Sequence, residues 1–188
     1  ICVGGGTILG NGEQVVREFA NKFHIPVVST MMGIGVMPNE DPLYMGMLGT
    51  NGKPHANYAV HECDVLVLVG ARVADRAVVK PYKLERRNTT IVHIDVDPAE
   101  IGKNLGTTVP LVGDVHVIFE NLLQYEIPGD YTAWNEELAE KKAAYVDRRH
   151  FNPDFVNPCR FVQTLSGKMN DDAIYVADVG QNQLWSAD

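Results

Sequence analysis

The stretch ICVGGGTILGNGEQVVREFANKFHIPVVST, residues 1–30, decides the fold. An apolar run meets three glycines, then a segment with Val15, Val16, Phe19, Ala20 and Phe23 at helical spacing, then a second apolar run, PVVST. A strand, a helix and another strand in that order predict a parallel βαβ unit, because parallel neighbours need a crossover that a helix usually supplies.

The same alternation continues outward. DVLVLVGA (64–71), TIVHIDVD (90–97) and TVPLVGD (108–114) are short, apolar and rich in β-branched residues, as strands covered on both faces tend to be. PHANYAVHEC (54–63) places Ala56, Ala59 and Val60 on one helical face, and a further helix starts near Val115. The Pro and Gly of EIPGD (126–130) mark a linker, which ends the α/β unit near residue 125. The Ala/Glu/Lys-rich stretch 131–149 predicts a helix anchored by Trp134, Leu138 and Tyr145, its charges forming a solvated face. NPDFVNP is a connector, CRFVQTLSGKM another helix and DAIYVADVG another strand, which together read as the opening of a second α/β domain. The expected organisation is therefore 1–125, a helical linker 126–157, and a truncated start of a second domain over 158–188. The chain reads as a segment cut at both ends, with its last residues, YVADVGQNQLWSAD, poorly packed.

With 188 residues, 45% of them hydrophobic, the chain can bury a substantial core. A formal charge of −8 without any Lys/Arg run argues against nucleic-acid and anionic-membrane surfaces, which need clustered positive charge. No apolar run approaches the roughly 20 residues of a membrane span. Three cysteines, Cys2, Cys63 and Cys159, stand far apart with no CxxC pair, so a reducing cytoplasm fits better than a disulfide framework or a zinc site. His61-Glu62-Cys63 is no ligand set, since successive helical residues do not face one another. No nucleophile motif of the G-x-S-x-G kind occurs.

In an open parallel sheet, ligands settle outside the carboxyl ends of the strands, and glycine-marked loops recur there. Gly4, Gly5 and Gly6 would let backbone amides approach a pyrophosphate, or would simply make a tight strand-to-helix turn; G-x-G-x-x-G fails at Leu9. Thr30 leads into MMGIGVMP, where Met31 and Met32 read either as core filler or as the apolar wall of a cofactor site. MLGTNGKPH (47–55) carries an Asn51-Gly52 turn before a helix opened by Pro54. In GARVADR (70–76), Arg72 and Arg76 suit a phosphate or a flavin-type ring edge, or else an ion pair with Asp75 or a neighbour. Asp97 reads as an N-cap and Asp95 as an acceptor for ribose or adenine, Asp114 chooses between capping a helix and touching a nucleotide, and Pro98 with Glu100 predicts a helix start.

Taken in order, VGGG, STMMGIG, MLGTNG, GARVADR, HIDVDPAEIGK and LVGDV resemble the central domain of thiamine-diphosphate-dependent enzymes, above all the large catalytic subunit of acetolactate synthase. The tail DVGQNQLWSAD is similar to that family's DVGQHQMWAAQ, which opens its pyrophosphate-binding domain. Departures are Val73 and Ala74 where the family's GVRFDDR has Phe and Asp, Asn51 where its LGMHG has His, and Asn182 where its tail has His.

The resemblance implies a Rossmann-like, three-layer α/β domain with a mostly parallel six-stranded sheet. It also implies an FAD with a structural role, touching Gly5, Thr30, Met31, Leu48, Gly49, Thr50, Asn51, Gly70, Ala71, Arg72, Asp95, Val96, Asp114 and Val115. Gln181 and Asn182 would face thiamine diphosphate. The implied chemistry is decarboxylation of pyruvate and carboligation to a second 2-keto acid. Thiamine diphosphate and magnesium would be bound only in the full-length enzyme, because the activating glutamate and the GDG…N metal motif lie in parts of the family outside these residues. No catalytic or metal-binding residue is thus expected within the chain. The implied partners are the missing pyrimidine- and pyrophosphate-binding domains, a second copy in a homo-oligomer, and optionally a regulatory small subunit. Two other readings stay open. One is another thiamine enzyme, such as a glyoxylate carboligase, a sulfoacetaldehyde-type lyase or a 2-keto-acid decarboxylase; the other is a structural dimerisation module with an empty nucleotide cleft.

Overall fold

A computed structural model of the chain describes residues 1–73, 89–146, 151–170 and 173–187. It forms two compact units, Ile1–Tyr145 and Val146–Asp188. The first unit holds β1 (Cys2–Val3), α1 (Gly5–Leu9), α2 (Glu13–Phe23), β2 (Val27–Ser29), β3 (Tyr44–Met47), α3 (Pro54–Glu62), β4 (Val65–Val69), β5 (Thr90–Asp95), β6 (Val109–Val112), α4 (Val115–Leu122) and α5 (Thr132–Ala143). A 3₁₀ turn, Met31–Gly33, follows β2.

The six strands form one sheet in the order β3-β2-β1-β4-β5-β6, and every recorded pairing is parallel. The chain builds outward from β1 to one edge, then returns to the centre with β4 and builds to the other. That reversal is the doubly wound topology, and it makes the carboxyl edge between β1 and β4 the switch point of the sheet. The expected α/β architecture with six parallel strands is what the chain adopts. β3 was not legible as a strand in the sequence: it is four residues long, and Gly46 within it has φ +87°.

Residues alternate between the two faces of the sheet with the period of two that a strand imposes. Val3, Val27, Tyr44, Val69 and Ile94 pack with α2 and α4, whereas Cys2, Val28, Met45, Leu66, Leu68 and Ile91 pack with α3 and α5. All five apolar positions read on α2 are buried, and Phe19 meets Phe119 of α4 edge-on at 5.1 Å. Burying such a face contributes roughly 1.5–3 kcal/mol per large apolar side chain. The result is a sheet between two helical layers.

The helix expected over 131–149 is ordered as α5 over Thr132–Ala143, and Asp147 to Arg149 lie outside the described residues. Leu138 is fully buried, and Trp134 packs beside Tyr58 with ring centroids 6.1 Å apart. Its charges do more than face solvent. Lys141 lies 3.9 Å over the Tyr58 ring, the Tyr58 hydroxyl donates to Glu137, and Lys142 donates to the Tyr44 carbonyl at 2.7 Å. Two other expectations fail: residues after Pro98 make successive turns instead of a helix, and 173–178 form no strand. A strand needs a partner to satisfy its backbone groups, and no described strand pairs with this stretch.

The second unit contains α6 (Pro158–Ser166), capped by Asn157, and α7 (Gln181–Ser186), entered through Gly180 at φ +136°. Ile174, Val176 and Val179 are exposed.

Candidate functional site

Because all six strands run the same way, the loops after them lie along one edge. The fourteen positions expected to meet FAD fall on that edge: Leu48 to Asn51 after β3, Thr30 and Met31 after β2, Gly5 after β1, Gly70 to Arg72 after β4, Asp95 and Val96 at β5, and Asp114 and Val115 after β6. At about 4.8 Å between neighbouring strands, the row extends for roughly 24 Å.

Its centre is a close crossing of two turns. The amides of Gly4 and Gly6 donate to the carbonyls of Val69 and Gly70, each at 2.9 Å, and the buried Thr7 hydroxyl donates to Val69 at 2.9 Å. A Cβ at Gly4 would lie 2.3 Å from the Gly70 carbonyl oxygen, and one at Gly70, whose φ is +52°, would lie 2.6 Å from the Gly6 carbonyl carbon. These glycines let β1 and β4 hand over their chains in contact. Two of the amides that might have cradled a pyrophosphate are therefore committed within the crossing, which favours the turn reading of Gly4 and Gly6.

The loop after β2 closes onto the same crossing. The Thr30 amide donates to Val3 at 2.9 Å, and Gly33 sits so close that a Cβ there would be 2.3 Å from the Val3 carbonyl oxygen. Arg17 of α2 holds the following segment by donating to the carbonyls of Gly35 and Val36. Met32 is 71% exposed beside Gly5, so it is not core filler; Met37, Met45 and Met47 are. Met31 is half-buried.

Beyond the crossing, the Arg72 guanidinium side chain is 74% exposed, and its ion pair is with Glu100 at 3.8 Å. Glu100 is also bound by Lys103 at 2.7 Å. At 3.8 Å, with its Arg72 end open to solvent, the pair adds little stability. Asp75, the partner considered for Arg72, lies outside the described residues, as do Ala74 and Arg76. Val73 is buried in the core. Asp95, 9% exposed, accepts from the Asp97 amide at 2.9 Å, and Asp97 accepts from Ala99 at 2.9 Å. Asp114 caps α4 by accepting from Val117 at 3.1 Å. Asp114 is thus a helix cap, whereas Asp95 and Asp97 close local turns with no helix behind them, and each retains further acceptor capacity.

Burial sorts the fourteen positions. Thr50, Asn51, Arg72, Val96 and Asp114 present exposed side chains, whereas Leu48, Gly49, Gly70, Ala71, Asp95 and Val115 are buried. Val115 is a core residue packed under Gly12. Apart from Asp95, whose carboxylate keeps acceptor capacity, positions of the second kind offer a ligand mainly their backbone.

Several contributors were not legible in the sequence. Asn57 of α3 holds Gly49 through two hydrogen bonds of 2.8 and 2.9 Å. Ser29 and Tyr44 share a buried 2.7 Å hydrogen bond between β2 and β3, and burial raises the Tyr44 phenol above its ordinary pKa. His93, facing the same side of β5 as Asp95, is buried near Ala71 and Asp95, and burial lowers its pKa. None of these carries a local motif. Among the described residues, no three His, Cys, Asp or Glu side chains cluster to hold a metal, and no helix is long and apolar enough to cross a membrane.

In the second unit, Gln181 and Asn182 open α7 with exposed side chains.

Comparison with known proteins agrees with this architecture. The family model for the thiamine pyrophosphate enzyme central domain matches residues 1–122. The chain is 38% identical to the probable acetolactate synthase large subunit of Methanocaldococcus jannaschii, an alignment covering 100% of the chain and 33% of that protein. It is 37% identical to the acetolactate synthase large subunit of Corynebacterium glutamicum, with 100% and 31% covered. With that of Lactococcus lactis subsp. lactis the identity is 34%, with 100% and 32% covered. The chain spans about a third of the length of the curated relatives it matches.

Proposed function

The chain belongs to the thiamine pyrophosphate enzyme central-domain family, and from that premise we propose that it is the nucleotide-holding, non-catalytic part of an acetolactate-synthase-type carboligase. The observation that carries this is the fully parallel sheet in the order β3-β2-β1-β4-β5-β6, which lines six glycine- and Asp-marked loops along one edge at a topological switch point. The whole protein would convert two pyruvates into 2-acetolactate and CO2, and it would act as a homo-oligomer in the cytoplasm.

The ligand of the edge is FAD. A dinucleotide diphosphate needs positive charge and donors, and with Gly4 and Gly6 committed to the crossing, Arg72 takes that role. Asp95, nearly buried, accepts from ribose or adenine. Met32 and Val96 offer exposed apolar surface for rings, and the side-chain amide of Asn51, exposed at the loop tip, supplies a donor. Thiamine diphosphate, held in the whole enzyme with Mg2+, supplies the electron sink for decarboxylation. Within this chain, Gln181 and Asn182 would donate to its diphosphate.

The protein carrying this chain, given pyruvate, thiamine diphosphate, Mg2+ and FAD, is expected to release acetolactate. Release of acetaldehyde, or consumption of glyoxylate in preference to pyruvate, would move it to another thiamine enzyme.

A second reading is favoured by the crossing itself: glycines that serve packing and an Arg72 that serves an ion pair need no nucleotide. Replacing Arg72 by Ala separates the two, since lowered stability with unchanged flavin affinity supports the structural module.

A further inference from the structure

We infer that Asn57 is the positioning residue of the loop after β3, fixing Thr50 and Asn51 toward the ligand of the carboxyl edge; the inference rests on the dinucleotide reading above. Most of this loop is already tied down. Leu48 donates to the Ser29 carbonyl at 2.9 Å, Gly52 to Gly49 at 3.0 Å, and Lys53 to Met47 at 2.8 Å. A Cβ on Gly52 would lie 2.4 Å from the Leu48 carbonyl carbon. Thr50 and Asn51 stand exposed at the tip.

Gly49, just before the tip, has φ +109°, which glycine reaches freely; the same freedom leaves the peptide many alternatives unless something fixes it. Asn57 provides that constraint. Its Oδ1 accepts from the Gly49 amide at 2.8 Å, and its Nδ2 donates to the Gly49 carbonyl at 2.9 Å. The two bonds copy the exchange a neighbouring strand would make, and they require a planar group carrying a donor and an acceptor together. Asp lacks the donor and Ala lacks both. The group rides on α3, whose Ala56, Ala59 and Val60 are buried against the sheet, so the reference point is rigid. Asn57 itself need not touch the ligand, because it acts through the Gly49 peptide.

The test titrates the protein carrying this chain with FAD, ADP and FMN, as wild type and as Asn57→Ala and Asn57→Asp, and follows amide exchange over residues 48–52. Thr89→Val serves as control, since it deletes a side-chain hydrogen bond to Cys63 at the opposite edge of the sheet. The loop lies at one end of the row, so Asn57→Ala should weaken FAD and one half-ligand about tenfold, the size expected for two lost hydrogen bonds, and Asn57→Asp, which loses one and sets a carboxylate against the Gly49 carbonyl, should weaken the same two ligands. The other half-ligand should keep its affinity, exchange should quicken only over 48–52, and Thr89→Val should leave all affinities unchanged. Equal weakening of both half-ligands, a loss that Thr89→Val reproduces, or unchanged affinities with a stability loss alone would overturn the inference. If wild type binds none of the three, the dinucleotide reading falls separately. Exchange then decides whether Asn57 holds the loop, and unchanged protection at Gly49 overturns that too.

Discussion

Replacing Gly4 by Ala tests the crossing on which the carboxyl edge is built. Gly4 has φ −123° and ψ −173°, which any residue can adopt, so the substitution introduces no backbone strain. Its cost is steric: the new methyl would lie 2.3 Å from the Gly70 carbonyl oxygen and 2.5 Å from the Ala71 Cα. Both are backbone atoms of a buried turn, so no rotamer change relieves the clash, and either β1 or β4 must move. Overpacking of that kind costs about 3 kcal/mol. Gly106→Ala is the matched control, because a Cβ there meets nothing within 4 Å and the position is exposed; its effect should stay within about 0.5 kcal/mol. Urea unfolding followed by the fluorescence of Trp134, which packs in the first unit, reads the difference. With a slope of about 2 kcal/mol per molar urea, Gly4→Ala should lower the midpoint by about 1.5 M. A Gly4→Ala midpoint no lower than that of Gly106→Ala would refute the crossing.

Other perturbations separate binding from stability. Arg72→Ala should weaken FAD about tenfold while changing stability by less than about 1 kcal/mol, since its ion pair with Glu100 is open to solvent at the Arg72 end; titration and urea unfolding together check both halves. Leu138→Ala should cost about 3 kcal/mol by leaving a cavity under α5, read as a lowered unfolding midpoint and faster amide exchange over 132–143. His93 and His55 are both buried with pKa values lowered chiefly by desolvation. The unfolded chain therefore binds protons first, so their contribution is complete above the ordinary imidazole pKa of about 6.5 and is lost as the pH falls below it. Urea midpoints should drop between pH 7 and 5, and His93→Leu, which removes one of the two buried imidazoles, should flatten that drop.

Much of this molecule could be read before it was seen. Five strands and the buried face of α2 were legible because periodicity reports burial directly, as Val15, Val16, Phe19, Ala20 and Phe23 show. The edge was legible because a parallel sheet gathers its glycine-marked loops on one side. What escaped depends on distant partners. β3 is held as a strand by pairing with β2 through Val27 and Ser29, against the local preference of Gly46. Residues 173–178 have a strand's composition but no described neighbour to pair with. Among the described residues the partner of Arg72 is Glu100, brought in by the loop after β5. Asn57 reads as an ordinary helical residue until the fold sets it against Gly49.

The most direct measurement of the central claim is hydrogen exchange across the protein with and without saturating FAD. The account predicts saturable binding, with protection gathered at 48–51, 70–72, 95–96 and 113–115 and none at the opposite edge around 24–26, 63–64 and 106–108. Absence of flavin binding, or protection centred on that opposite edge, would contradict it.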